Sequence, residues 1–185
     1  DNIIPGGKIH NFRHFMDFPN VFSERKVRAN LPFIHPDLEE SLRVTDVVLK
    51  KDILLSFPYH SFVSVIDLLR EAAMDPEVQS IKITAYRLAT NSKIINALIN
   101  AVRNGKDVTV MMELRARFDE EANLIWKDRL EEEGVKVLIG IPDMKVHAKL
   151  CVIKKRVGKK YVEYGFVATG NLNEKTAKIY ADHML

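Results

Sequence analysis

The chain has 185 residues, 46% hydrophobic and 29% charged, with a formal net charge of +3. That length and balance suit one domain, or one domain with a piece of another, and exclude wholesale disorder. So small a net charge permits a polyanionic partner without requiring one, which leaves the decision to how charge is distributed.

Residues 1–42 carry Pro5, Pro19, Pro32 and Pro36 and several aromatic residues without a sustained period. They read as the end of a preceding domain or a linker, with a left-handed turn at Gly6-Gly7. The start at Asp1 instead of Met reads as an excised piece of a longer protein. Residues 43–185 are regular. "DILLSF" reads as a strand ended by Pro58. "SFVSVIDLLREAAM" sets Phe62, Val65, Ile66, Leu69 and Ala73 at helical spacing behind a Ser61 cap. "SIKITAY" alternates as a strand, and "NSKIINALINAVRNG" reads as a helix capped by Asn91 or Ser92 and stopped at Gly105.

"DVTVMMEL" is a strand, "DEEANLIWKDRLEEEG" a helix closed by Gly134, and "VKVLIG" a strand. "VHAKLCVIKK" and "YVEYGFVATG" are strands joined by a basic turn at Gly158, and "NEKTAKIY" reads as the start of a helix. The single cysteine, Cys151, falls in one of these apolar runs and reads as a buried thiol of a reducing compartment. No apolar run is long enough to span a membrane. Strands alternating with helices predict an α/β fold with a largely parallel sheet, made mixed by the final antiparallel pair, and helices on both faces.

Open α/β sheets bind ligands beyond the carboxyl ends of their strands. Arg87 follows one predicted strand, Arg115 and Arg117 another, and Asn171 and Asn173 a third. His147 stands at the start of a strand expected to run the opposite way, so its start falls at the same edge. If His147 and Lys149 share a strand, period two puts both on one face. Arginines, a lysine and amides converging there describe an anion site, and imidazole is the side chain suited to act as a neutral nucleophile near pH 7.

Each feature alone is weak. A lone histidine on a strand is more often a surface or core residue. The arginines can pair with Glu113, Asp119 or Glu120, and "KKRVGKK" can be a solvated hairpin tip.

Together, "KVHAKL", "TGNLNEKTAKIYAD", "ITAYRLA", "ELRARFDEEANLIWKDRL", "FPYHSF" and "IPGGKIHNFRHFMDFP" closely resemble the bacterial polyphosphate kinase family. The resemblance runs over essentially the whole chain. It implies a phospholipase D-like catalytic domain following a helical domain that ends near residue 42. It further implies reversible transfer of the terminal phosphate of ATP to polyphosphate through a phosphohistidine.

On that resemblance His147 is the phosphorylated residue and Lys149 its motif partner. Arg87 and Arg117 are the arginines of the magnesium–phosphate site, gripping Mg²⁺-bound phosphate rather than ligating the metal. Tyr180 contacts the nucleotide, and Asn171 and Asn173 orient phosphate or the histidine. The implied cofactor is Mg²⁺. The implied partners are ATP or ADP and polyphosphate, without nucleic acid, in a homo-oligomer that is cytoplasmic or peripheral at the inner membrane face.

Lys154 departs from the HxKxxxxD pattern of phospholipase D, and one HxK stands where the whole family enzyme has two such domains. The rival readings are a phospholipase D-type phosphodiesterase or nuclease acting as a dimer, and a polyanion-binding module without catalysis.

Overall fold

Apolar residues recurring at every second position bury one face of a pleated chain and thereby fix strand register. In the computed structural model, which describes residues 19, 31–86, 88, 89, 91–113, 120–141 and 143–185, such runs assemble into a seven-stranded sheet. In chain order the strands are β1 (Leu55–Phe57), β2 (Val78–Ala85), β3 (Asp107–Met112), β4 (Lys136–Ile139), β5 (Lys149–Val157), β6 (Lys160–Ala168) and β7 (Asp182–Met184). Their spatial order is β1-β7-β6-β5-β2-β3-β4. Strands β2, β3 and β4 are parallel, while β5 runs antiparallel to β2 and closes a hairpin with β6. Gly158, at φ 62°, makes that tight turn. The sheet is mixed, as the sequence predicts.

The helices are α1 (Pro36–Glu39), α2 (Val44–Val48), α3 (Val63–Met74), α4 (Lys93–Arg103) and α5 (Glu120–Glu132). The Ser92 side chain caps α4 by accepting from the Ile95 N–H. Ile81, Ile83 and Ala85 of β2, Val108 and Val110 of β3 and Ile153 of β5 form one core with Leu69 of α3, Leu98 of α4 and Leu130 of α5. Leu38 of α1 joins the same core. None of the described helices is long and apolar enough to cross a membrane.

The other face of the sheet carries Lys82, Thr84, Lys136, Leu138, Leu150 and Val167, all exposed or half-buried. Helices on both faces are therefore not found among the described residues, where they gather on one. The polar positions Lys82, Thr84 and Lys136 give a helix little apolar surface to cover.

Three local differences from the sequence reading have clear causes. "NEKTAKIY" does not open a helix but makes a 3₁₀ turn, Thr176–Lys178. Asn173 Oδ1 accepts from the Lys175 and Thr176 N–H groups at 3.0 and 3.2 Å, which tightens the chain before β7 begins. The short helices α1 and α2 lie in or beside a stretch too brief to show a period. Phe62, not Ser61, occupies the cap position of α3, and Ser61 Oγ accepts from the Val63 N–H at 3.3 Å.

Two stability predictions arise here. Gly165 of β6 has φ 156°, and a Cβ there would lie 2.0 Å from the Cys151 carbonyl oxygen across the ladder. Backbone cannot yield as a side-chain tip can, so Gly165→Ala is expected to cost about 2 kcal/mol or more in urea unfolding.

Asp75, just after α3, accepts from Lys155 Nζ at 2.6 Å, from the Glu77 N–H at 2.9 Å and from Arg43 at 3.3 Å. Burial alone would raise its pKa, but these donors outweigh it and hold the carboxyl below the ordinary carboxylate value. A lowered native pKa means that ionised Asp75 stabilises the fold above the unfolded-state pKa of about 3.9, and that this contribution fades as pH falls through the native value. Asp75→Asn is accordingly expected to cost about 2 kcal/mol at neutral pH. That difference from wild type should shrink in acid unfolding curves.

Candidate active site

Register decides which strand ends meet. Ala85 of β2 pairs with Met112 of β3, and Lys149, first in β5, pairs with Ala168, last in β6. With β5 antiparallel to β2, residues Tyr86, Glu113, His147, Lys149 and Thr169 all emerge at one sheet edge. The sequence-based convergence of strand ends is present in this form.

His147 precedes β5 and is exposed. It does not share a strand face with Lys149; residues 145–148 adopt no regular structure. What brings the two together is Tyr86. The His147 ring stands edge-on to the Tyr86 ring, with centroids 5.1 Å apart and planes at 76°. Lys149 Nζ lies 5.2 Å and Lys145 Nζ 5.4 Å from the same ring centroid. The aromatic quadrupole attracts both ammonium groups and holds positive charge beside the imidazole. Lys149 is buried, and its Nζ donates to the His147 carbonyl at 2.6 Å. One lysine thus fixes the histidine backbone and charges its surroundings.

Glu113, the residue after β3, is 4% exposed, and its Oε2 accepts from the Val146 N–H at 3.0 Å. It ties the segment leading to His147 onto the end of the parallel sheet. Sequence reasoning singled out neither residue for the site: Tyr86 counts there as a strand residue, and Glu113 as one of the surface carboxylates open to Arg87 or Arg117, whereas it is buried. The signal lay in position, since each follows directly on a predicted strand at the edge where ligands bind.

The loop after β6 reaches the same edge. Asn173 spends its carbonyl oxygen on its own turn, so it shapes the loop. Asn171 Oδ1 is buried and finds no hydrogen-bond partner among the described residues. Glu174, not singled out in the sequence, accepts from the Lys93 and Ile94 N–H groups at 2.6 and 3.4 Å. Its carboxylate caps α4 and clamps the loop to the helix that follows β2. Tyr180 is exposed beyond the 3₁₀ turn.

Arg87 and Arg117, with Arg115, lie outside the described residues, as does the Gly6-Gly7 turn. Among the described residues no group of three His, Cys, Asp or Glu side chains could hold a metal ion.

Three basic residues of the hairpin have partners of their own. Lys154 lies five residues along β5 from Lys149, roughly 16 Å at a strand's rise, with its Nζ 4.6 Å from the Tyr161 ring centroid. The departure from the HxKxxxxD pattern is thus remote from the imidazole. In the hairpin, Lys155 pairs with Asp75 and Arg156 with Glu77, which weakens the reading of "KKRVGKK" as a polyanion track. Burial pushes the Cys151 thiol far above its ordinary range, leaving it inert.

A family model described as polyphosphate kinase C-terminal domain 1 matches residues 43–185. The chain is 49% identical over its whole length to a polyphosphate kinase of Vibrio vulnificus and 46% identical to that of Escherichia coli K12. It spans 27% of each of those relatives. The crystal structure of a polyphosphate kinase from Porphyromonas gingivalis superposes with a TM-score of 0.80 at 38% identity, covering 98% of this chain and 30% of that one. A phospholipase D family member, Nuc from Salmonella typhimurium, superposes with a TM-score of 0.52 at 17% identity over 71% of this chain and 78% of that one, a likeness of fold.

Proposed function

Because the chain belongs to the polyphosphate kinase family, we propose that it is the part of such an enzyme in which His147 carries the phosphoryl group between ATP and polyphosphate. The observation that carries this reading is an exposed imidazole beside two ammonium groups on one buried tyrosine ring.

In the forward direction a neutral imidazole nitrogen attacks the terminal phosphorus of ATP in line with the bridging oxygen. The N–P bond forms, the bond from phosphorus to that oxygen breaks, and ADP leaves with the electron pair. A terminal oxygen of polyphosphate then attacks the same phosphorus, the N–P bond breaks, and the chain is one unit longer. Each step reverses without other reactants. Lys149 and Lys145 stabilise the negative charge that approaches and spreads over the phosphoryl oxygens.

Arg87 and Arg117 belong to the proposal as grips on phosphate, Tyr180 as a surface for the nucleotide base and Asn171 as a polar contact at the loop. Mg²⁺, when bound, would neutralise phosphate charge from the substrate side. The division at residue 42 between a preceding domain and the catalytic unit, a homo-oligomeric full-length enzyme without nucleic acid, and a cytoplasmic or peripheral membrane location complete the reading.

The test is covalent labelling of the full-length enzyme with ATP carrying a labelled terminal phosphate. Wild type is expected to form an acid-labile, base-stable phosphoenzyme that His147→Ala lacks. Undiminished labelling of the variant would remove His147 from the mechanism.

A further inference from the structure

The two residues that hold the His147 segment, Tyr86 and Glu113, come from different strands, and one side chain joins them from below. Asn123, in the first half of α5, is fully buried. Its Nδ2 donates to the Tyr86 carbonyl at 2.8 Å and to the Glu113 carbonyl at 3.1 Å. Both amide protons are therefore used, and each goes to the first residue beyond a strand at the catalytic edge. Near there the direct ladder between β2 and β3 ends. Ala85 and Met112 are its last register pair, and the Glu113 N–H bonds to the Ala85 carbonyl at 3.1 Å. At the next pair of positions, Tyr86 and Glu113, the asparagine takes over the role of the ladder.

From Tyr86 and Glu113 the restraint passes to the imidazole by two routes. The Tyr86 ring meets the His147 ring edge-on, and the Glu113 carboxylate holds the Val146 N–H, one residue ahead of His147. Trp126, one turn further along α5, donates from its indole N–H to the Ala89 carbonyl at 3.1 Å and anchors the same helix to the loop after β2.

A fully buried amide is costly to keep where an apolar residue could fill the space. Its own Oδ1 has no hydrogen-bond partner among the described residues. Packing does not explain such a residue, but two carbonyls that must be held at a fixed spacing do.

We infer that Asn123 is a positioning residue for phosphoryl transfer, clamping the ends of β2 and β3 so that Tyr86 and Glu113 hold His147 in line with the incoming phosphorus. The inference rests on the reading of His147 as phosphoryl carrier. Asn123 touches no reacting atom and acts through its neighbours.

The experiment uses the full-length enzyme with Asn123→Asp, which keeps the shape but removes both donors, and Asn123→Ser, which keeps one. Single-turnover formation of the phosphoenzyme from labelled ATP is measured at saturating ATP, well below each variant's unfolding temperature, and normalised to folded protein. The expected result is a rate lowered about 100-fold in Asn123→Asp, the scale of a misplaced reacting group, and less in Asn123→Ser, with KM for ATP within about threefold of wild type. Should Asn123→Asp fail to fold, Asn123→Ser alone decides.

A wild-type single-turnover rate in a folded variant that differs only in unfolding temperature would overturn the inference and leave Asn123 a structural residue. A rate and a KM that change together by the same factor would overturn it as well. Wild-type enzyme that turns over without a phosphoenzyme would instead refute His147 as carrier, which keeps the two failures apart.

Discussion

Replacing His147 by alanine in the full-length enzyme is expected to lower polyphosphate synthesis from ATP, and ATP formation from polyphosphate, by at least about a thousandfold each. Both directions should fall together because the proposed covalent intermediate serves both. The imidazole is exposed, so its removal should shift the stability of the fold by no more than about 1 kcal/mol. A loss of activity at nearly constant unfolding temperature is thus the signature. Retention of a tenth of the wild-type rate in either direction would count against a covalent route.

The second large effect concerns Lys149. Its ammonium is buried, bonded to the His147 carbonyl at 2.6 Å and 5.2 Å from the Tyr86 ring centroid. Lys149→Met keeps the length of the stem while removing the charge and the bond. This removal lifts the desolvation cost of a buried ammonium but leaves the His147 carbonyl without that donor, so a loss of stability of about 1–3 kcal/mol is expected beside the kinetic effect. In the proposed mechanism that charge also stabilises the phosphoryl oxygens from a preorganised position. Its loss is expected to lower kcat about 100-fold. Lys149→Arg should not restore the rate, because a planar guanidinium does not fit where a compact ammonium reaches a single carbonyl. Steady-state kinetics of the full-length variants, set beside their unfolding temperatures, check both statements. An arginine variant with wild-type kcat would show that charge alone matters and that the bond to His147 does not.

How far the sequence could be read depended on whether a feature was local. The alternation of Ile81, Ile83 and Ala85 against Lys82 and Thr84 declares β2 and its buried face, and "VGKK" declares the hairpin of β5 and β6. Strand β7, Asp182–Met184, gives too few residues for any period to appear. The tail of "NEKTAKIY" looks helical by composition, yet Asn173 captures the turn first. The one-sided helical layer was legible in principle from the lysines on the other face, though strand–helix alternation suggested two layers.

At the site, His147 and Lys149 were legible as a pair because their chemistry is unusual and their family motif is long. Tyr86, Glu113 and Asn123 were not. Each acts through a neighbour far away in sequence, and the order of strands in the sheet decides which neighbour that is. Glu174 escaped for the same reason, since its carboxylate serves the N-terminus of a helix that begins at Lys93.

The most direct measurement is to stop the full-length wild-type enzyme during turnover with labelled ATP, digest it under alkaline conditions and locate the phosphate by mass spectrometry. The expected finding is a single phosphorylated imidazole in the peptide that contains His147, appearing and disappearing as fast as turnover requires. Phosphate confined to another residue, or turnover with no modified peptide, would contradict it.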